Sequence, residues 1–224
     1  MIDAIARRAL LVGGLTLAAA PALALSPLAL SGAASPQPDA SPLGPPAPGR
    51  VRVGMKTAKG LITLDLDGGR APITAGNFLR YVDLKRYDRS TIYRASHVKE
   101  QPDDGIIEGG LRGDPAKVLK PIAHESTLKT GLSHKDGTIS MARRAPGTAT
   151  ADFFICIGDQ PGYDADPTGS GDKDGFAAFG QVVEGMEVVR TIFALPTSPT
   201  AGVGVMRGEM LKPPVPILTI RRLG

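Results

Sequence analysis

The first candidate for chemistry in this sequence is Arg94, a permanent cation that closes the short β-type run Thr91-Ile92-Tyr93-Arg94 inside STIYRASHVKEQPDDGIIEGG, residues 90–110. Alternation puts Ile92 and Arg94 on one face of a strand and Thr91 and Tyr93 on the other, so Arg94 is expected to point wherever Ile92 points. With Ile92 facing a core, the stem of Arg94 would lie over apolar surface and its guanidinium would stand in a cleft or at a rim. On this stretch alone an ordinary rim arginine in a surface ion pair is the favoured reading. Cys156, the only cysteine, sits inside the apolar run Phe153-Phe154-Ile155-Cys156-Ile157 and reads as a small buried hydrophobe; no intramolecular disulfide can form. His97, His124 and His134 have neither metal-ligand spacing nor partner cysteines, and each is expected at a surface or in a turn. No metal or cofactor is implied by these residues.

These side chains need a frame, and the frame reads as mostly β. Strand-like runs recur at 51–57, 61–66, 91–94, 105–108, 138–142, 152–157, 177–183 and 217–221, several bounded by glycine or by Asp-Gly. Two segments read as helices. One is expected to start at Thr74 as N-cap, with Ile73 packing on Phe78 as a hydrophobic staple and Tyr81 and Val82 following at helical spacing. The other runs over 184–195, with a stripe of Met186, Val189, Ile192 and Phe193 that Pro196 ends. Short strands in this number avoid open edges by closing into a barrel, with the helices plugging its ends.

The rest of the chain sorts by composition. Residues 1–24 read as an export signal: Arg7 and Arg8, an apolar run over 9–20 and the small-x-small site Ala22-Leu23-Ala24, with a second candidate cleavage site as late as 34. The apolar run is shorter than the ~20 residues a membrane span needs, so no stable membrane insertion is expected once the signal is removed. The paired arginines are compatible with twin-arginine export. Residues 35–50 are rich in proline and small residues and are expected to be a disordered linker. Residues 51–224 are then one domain, large enough to bury a core without cross-links. The net charge of +4 is scattered, and six phenylalanines, four tyrosines and no tryptophan offer little for base stacking, so nucleic-acid binding is disfavoured.

Three blocks taken in order resemble the cyclophilin family: KTAKGLITLDLDGGRAPITAGNFLRYVDLKRYDRSTIYR, then GTISMARRAPGTATADFFICIG, then FAAFGQVVEGMEVV. The resemblance implies a closed eight-stranded antiparallel β-barrel capped by two α-helices. It also implies a monomeric peptidyl-prolyl cis/trans isomerase (EC 5.2.1.8) acting on proline-containing peptides and unfolded protein segments, here in the periplasm or outside the cell. Arg94 falls on the family's catalytic arginine. Phe154 and Ile106 fall on the pocket for the proline ring, Met141 and Ala142 on the groove for the peptide backbone, and Glu108, Arg143, Asp152, Tyr163 and Phe176 on further substrate contacts.

The sequence departs from the family pattern around that site. The segment between Arg94 and Gly105 is longer, and Gly105 stands where a pocket phenylalanine is usual. Glu108 and Asp152 replace glutamines, Arg143 an asparagine and Phe176 a histidine. A carboxylate at Glu108 could lock Arg94 away from substrate or fix it in working geometry. The alternative reading is therefore a cyclophilin-fold peptide-binding or chaperone protein with weak catalysis. The tryptophan associated with tight cyclosporin binding is absent, which implies weak cyclosporin sensitivity. Residues 164–174 are a Gly/Asp-rich insertion, expected to be a mobile loop beside the cleft.

Overall fold

The computed structural model describes residues 49–224; the expected export signal and all but the last two residues of the expected linker lie outside them. Nine strands form one antiparallel sheet: β1 (Arg50–Thr57), β2 (Gly60–Asp67), β3 (Ser90–Val98), β4 (Gln101–Gly110), β5 (Thr138–Met141), β6 (Phe153–Ile157), β7 (Ala177–Glu184), β8 (Thr197–Ser198) and β9 (Met210–Arg222). Their order is β1-β2-β7-β5-β6-β4-β3-β9, and β9 pairs back onto β1, so eight strands close a barrel. Closure leaves no open edge in the ring. The ninth strand, β8, has two residues and only adds to β9.

The barrel interior is filled by alternate residues of these strands, among them Val53, Met55, Ile62, Leu64, Leu66, Ile107 and Ile155. One end is closed by helix α1 (Pro72–Asp83), whose Phe78 packs on Tyr87, Phe153 and Phe179 with ring centroids 5.0, 5.5 and 5.4 Å away. The buried Tyr87 hydroxyl donates to Ala151 O at 2.8 Å, so this aromatic plug leaves no polar cost behind. A single turn, α2 (Thr127–Thr130), lies between β4 and β5. Helix α3 (Met186–Phe193) closes the other end, where Val188 lies against Gly60, Phe193 against Gly105 and Met186 against Gly137. Among the described residues no helix is long and apolar enough to cross a membrane.

Several local expectations are corrected by tertiary contacts. Helix α1 starts at Pro72, not after a Thr74 cap, because a proline in the first turn is preset for helix and lacks the donor that would go unpaired. Thr74 lies inside that turn, where its N–H and its hydroxyl both donate to Glu125 Oε2 at 2.7 Å, an anion placed at the positive end of the helix. Ile73, the expected staple, is 41% exposed and stands inside the helix, not ahead of it. Helix α3 starts at Met186, preceded by Gly185 at φ +88, where a Cβ would lie 2.4 Å from Leu61 O. The polar segment after Arg94 is not an irregular loop: β3 and β4 run on as a hairpin to Val98 and Gln101. Strand β9 begins seven residues before the expected 217, hidden by Pro213, Pro214 and Pro216.

Candidate active site

A β-bulge builds the site. Ile92 pairs with Gly109 and Arg94 with the adjacent Glu108, so Tyr93 is an extra residue in β3. Alternation therefore breaks: Ile92 and Ala95 lie in the barrel core, whereas Tyr93 and Arg94 both face outward and reach one carboxylate. The expectation that Arg94 follows Ile92 is wrong for this reason. The ladder then carries a row across the outer face, Arg94 beside Glu108, Glu108 beside Phe154 and Phe154 beside Ser140.

Arg94 is held from two sides. Its Nη1 donates to Glu108 Oε2 at 2.7 Å, its Nε to Glu209 Oε2 at 2.8 Å, and its Nη2 lies 2.7 Å from the same Glu209 oxygen. Each carboxylate is itself oriented: Tyr93 donates to Glu108 Oε1 at 2.9 Å and Ser96 to Glu209 Oε1 at 2.8 Å. The Arg94 side chain is 13% exposed, so it is neither sunk in the barrel nor swung out into solvent. Burial alone would disfavour the cation, but hydrogen bonds and charge from Glu108 and Glu209 outweigh it and hold Arg94 above its ordinary pKa. The same burial and the Glu108 charge push the Tyr93 phenol far up, so it stays a donor.

Next to this clamp lies a second apolar cluster, separate from the barrel core. Ile106, Phe154 and Cys156 form its buried floor, and Ala142, Tyr163 and Phe176 pack against them. The rings of Phe154, Tyr163 and Phe176 are mutually 5.2 to 5.4 Å apart, two of the three pairs close to edge-on. The Phe153-Phe154 pair is thus divided as a strand requires, one ring in the barrel and the other outside. Burial pushes the Cys156 thiol up, which suits a packing role. Tyr163, raised by burial, is close enough to Arg94 for that charge to lower it in part. Cation and apolar cluster therefore share one patch of the outer face.

A cleft of about 540 Å³ opens beside them, lined among others by Glu108, Asp152, Ala142, Arg143, Met206 and Met210, and at it Arg112 stacks its guanidinium over the Tyr93 ring at 5.3 Å. Arg143 packs its guanidinium over Phe176 at 4.8 Å and is tied to Asp172 at 2.7 Å and to Gly175 O. Burial raises the Asp152 pKa despite the backbone donor of Arg112. Gly105 admits no side chain, because at φ +154 a Cβ would stand 2.0 Å from Ser96 O. Among the described residues no cluster of His, Cys, Asp or Glu could hold a metal ion.

These geometries agree with the comparisons with known proteins. The family model for cyclophilin type peptidyl-prolyl cis-trans isomerase/CLD matches residues 52–221. The chain belongs to the cyclophilin family. It is 35% identical over 170 residues to a peptidyl-prolyl cis-trans isomerase of Acinetobacter baylyi, covering 75% of this chain and 84% of that one. It is also 35% identical over 156 residues to peptidyl-prolyl cis-trans isomerase cyp18 of Streptomyces antibioticus, covering 67% and 87%. A crystal structure of a Cryptosporidium parvum cyclophilin, solved in the presence of the dipeptide Ala-Pro, shares the fold with a TM-score of 0.61 at 19% identity, over 77% of this chain and 99% of that one. This cyclophilin is a peptidyl-prolyl cis-trans isomerase.

Of the residues expected at its site, the structure brings together Arg94, Ile106, Glu108, Ala142, Arg143, Asp152, Phe154, Tyr163 and Phe176. Met141 is a correction: it lies in the barrel core at 1% exposure, one residue before Ala142 and on the opposite face. His134 is another, since it is buried rather than superficial. Its Nδ1 lies 2.6 Å from Asp164 Oδ1, its Nε2 2.9 Å from Ser140 Oγ, and its ring stacks at 5.8 Å on Phe154. The 164–174 insertion is pinned at both ends, through Asp164 to His134 and through Asp172 to Arg143. Glu209 and Tyr93 were not anticipated. A single glutamate between a glycine and a methionine carries no motif, and a bulge leaves no mark in the alternation of one strand.

Proposed function

We propose that the cluster around Phe154 receives the proline ring and that Arg94 is the catalytic cation. An Xaa-Pro bond resists rotation by about 18–20 kcal/mol because nitrogen donates its lone pair into the carbonyl. In the twisted state that conjugation is lost and the nitrogen becomes a hydrogen-bond acceptor. A guanidinium aimed at it stabilises the twisted state over both planar isomers, which is the requirement for lowering the barrier. Each nitrogen Nη1 and Nη2 of Arg94 carries two N–H groups and uses one on a carboxylate, leaving a second on each for substrate. The observation that carries this reading is the placement of a doubly clamped, partly exposed arginine beside an apolar floor on the same outer face.

Ile106, Ala142 and Tyr163 complete the apolar floor in this reading, while Glu108, Asp152, Arg143 and Phe176 border the path of the peptide. The Ala-Pro dipeptide used with the Cryptosporidium cyclophilin supports a proline-containing ligand here. The apolar run after Arg7-Arg8 supports clients that are exported polypeptides limited by proline isomerisation. Isomerisation of an Ala-Pro peptide by the purified chain should fall by about 100-fold or more in Arg94→Ala, the scale seen when one oriented donor is removed. Activity that survives this change would reject Arg94 as the catalytic group while leaving the family activity intact. Recovery of the full-length chain from the cytoplasmic fraction alone would reject export.

A further inference from the structure

Glu209 ends a compact loop that also forms one wall of the cleft. Its N–H donates to Met206 O at 3.1 Å, and its C=O accepts from Ala95 N–H at 3.0 Å, the residue after Arg94. The loop is closed on itself: Gly208 N–H donates to Ala201 O at 3.0 Å, Arg207 N–H to Gly204 O at 3.1 Å, and a Cβ at Gly202 would stand 2.2 Å from Met206 O. Met206 and Met210, on either side of Glu209, line the cleft with flexible thioether side chains that accommodate varied apolar groups. Ser96 fixes the second oxygen of Glu209, so the carboxylate has little freedom of its own. One tight turn thus connects Met206 to the anion that grips Nε and Nη2 of Arg94.

Resting on the assignment of Arg94 as catalytic cation, we infer that Glu209 is a positioning residue coupling occupancy of the Met206/Met210 wall to the orientation of Arg94. The preferred substrates are then extended polypeptide segments carrying an apolar side chain some residues away from the Xaa-Pro unit. Contact with the wall, remote from the rotating bond, is spent on aiming the guanidinium and appears in kcat rather than only in KM. Glu108 acts differently: it grips Nη1 from a ladder position in β4 opposite Arg94.

The test compares a short Ala-Pro peptide with a longer peptide that adds a leucine at varied distances from the proline. Wild-type enzyme should turn over the best longer peptide with a kcat about tenfold higher, equivalent to about 1.4 kcal/mol. In Glu209→Ala that ratio should fall to about one, and Glu209→Gln, which keeps an acceptor of the same shape, should restore part of it. The Arg94 Nε–H resonance should move when the longer peptide binds to wild type and move less in Glu209→Gln. A ratio unchanged in both variants overturns the inference, including the case in which Glu209→Ala only lowers Tm. An inactive Arg94→Ala together with fully active Glu209 variants rejects this coupling alone, whereas an active Arg94→Ala rejects the assignment on which it rests.

Discussion

Phe153 and Phe154 are neighbours in β6, both almost fully buried, yet they belong to different regions. Phe153 joins Phe78, Tyr87 and the rest of the barrel core, where helix α1 and strands from both halves of the chain close on it. Phe154 joins Ile106, Tyr163 and Phe176 in a small cluster roofed by loop residues and facing Arg94's side of the sheet. Burial alone therefore does not separate a residue of the barrel core from one of the outer cluster proposed to receive the proline ring. What separates them is the side of the sheet: the Phe153 cluster is closed inside the barrel by helix α1, whereas the Phe154 cluster is covered on the outer face by Tyr163 and Phe176.

The sharpest way to break this comparison is Phe153→Ala. It opens a cavity that the barrel cannot collapse around, and it should cost about 4 kcal/mol of unfolding free energy, read from urea titration. Isomerase activity of the molecules that remain folded should change little. Phe154→Ala should cost less, about 3 kcal/mol, because the Tyr163 and Phe176 loops can settle into the gap. It should nevertheless lower kcat/KM by about tenfold or more. Equal stability losses and equal activity losses in the two variants would show that the regions are not distinct.

The smallest effect concerns the floor beneath Phe154. Burial lowers the His134 pKa below its ordinary value of 6.5, against the opposing pull of Asp164. The unfolded chain then binds a proton at a higher pH than the folded one. The stabilising share of neutral His134 is complete above pH 6.5 and is lost as pH falls through the depressed folded value. His134→Asn should therefore show a shallower loss of stability between pH 7 and pH 5 than wild type. Parallel slopes would mean that His134 does not couple the Phe154 cluster to pH.

Much of the site was legible because its signals are local. Arg94, Ala142, Phe154 and Phe176 stand in the three blocks that resemble the family, and adjacency in a strand is enough to set Phe153 and Phe154 on opposite faces. Met141 was placed wrongly although the same rule, applied to Met141-Ala142, excludes it from the face of Ala142. His134 was read as superficial because burial of a polar ring depends on finding both Asp164 and Ser140, which no spacing announces.

The sequence by itself determined the order of eight strands and two capping helices and the residues, Arg94 and Phe154 among them, that the family resemblance singles out. Hydrophobic period, turn residues and blocks of matched side chains act over a few residues and can be read along a line. Only the tertiary structure decided which way Arg94 points, through a single extra residue in the ladder, and which anions hold it, one of them 115 residues away. Register and long-range pairing are settled by packing of the whole barrel, where shifting one residue moves a side chain to the other face.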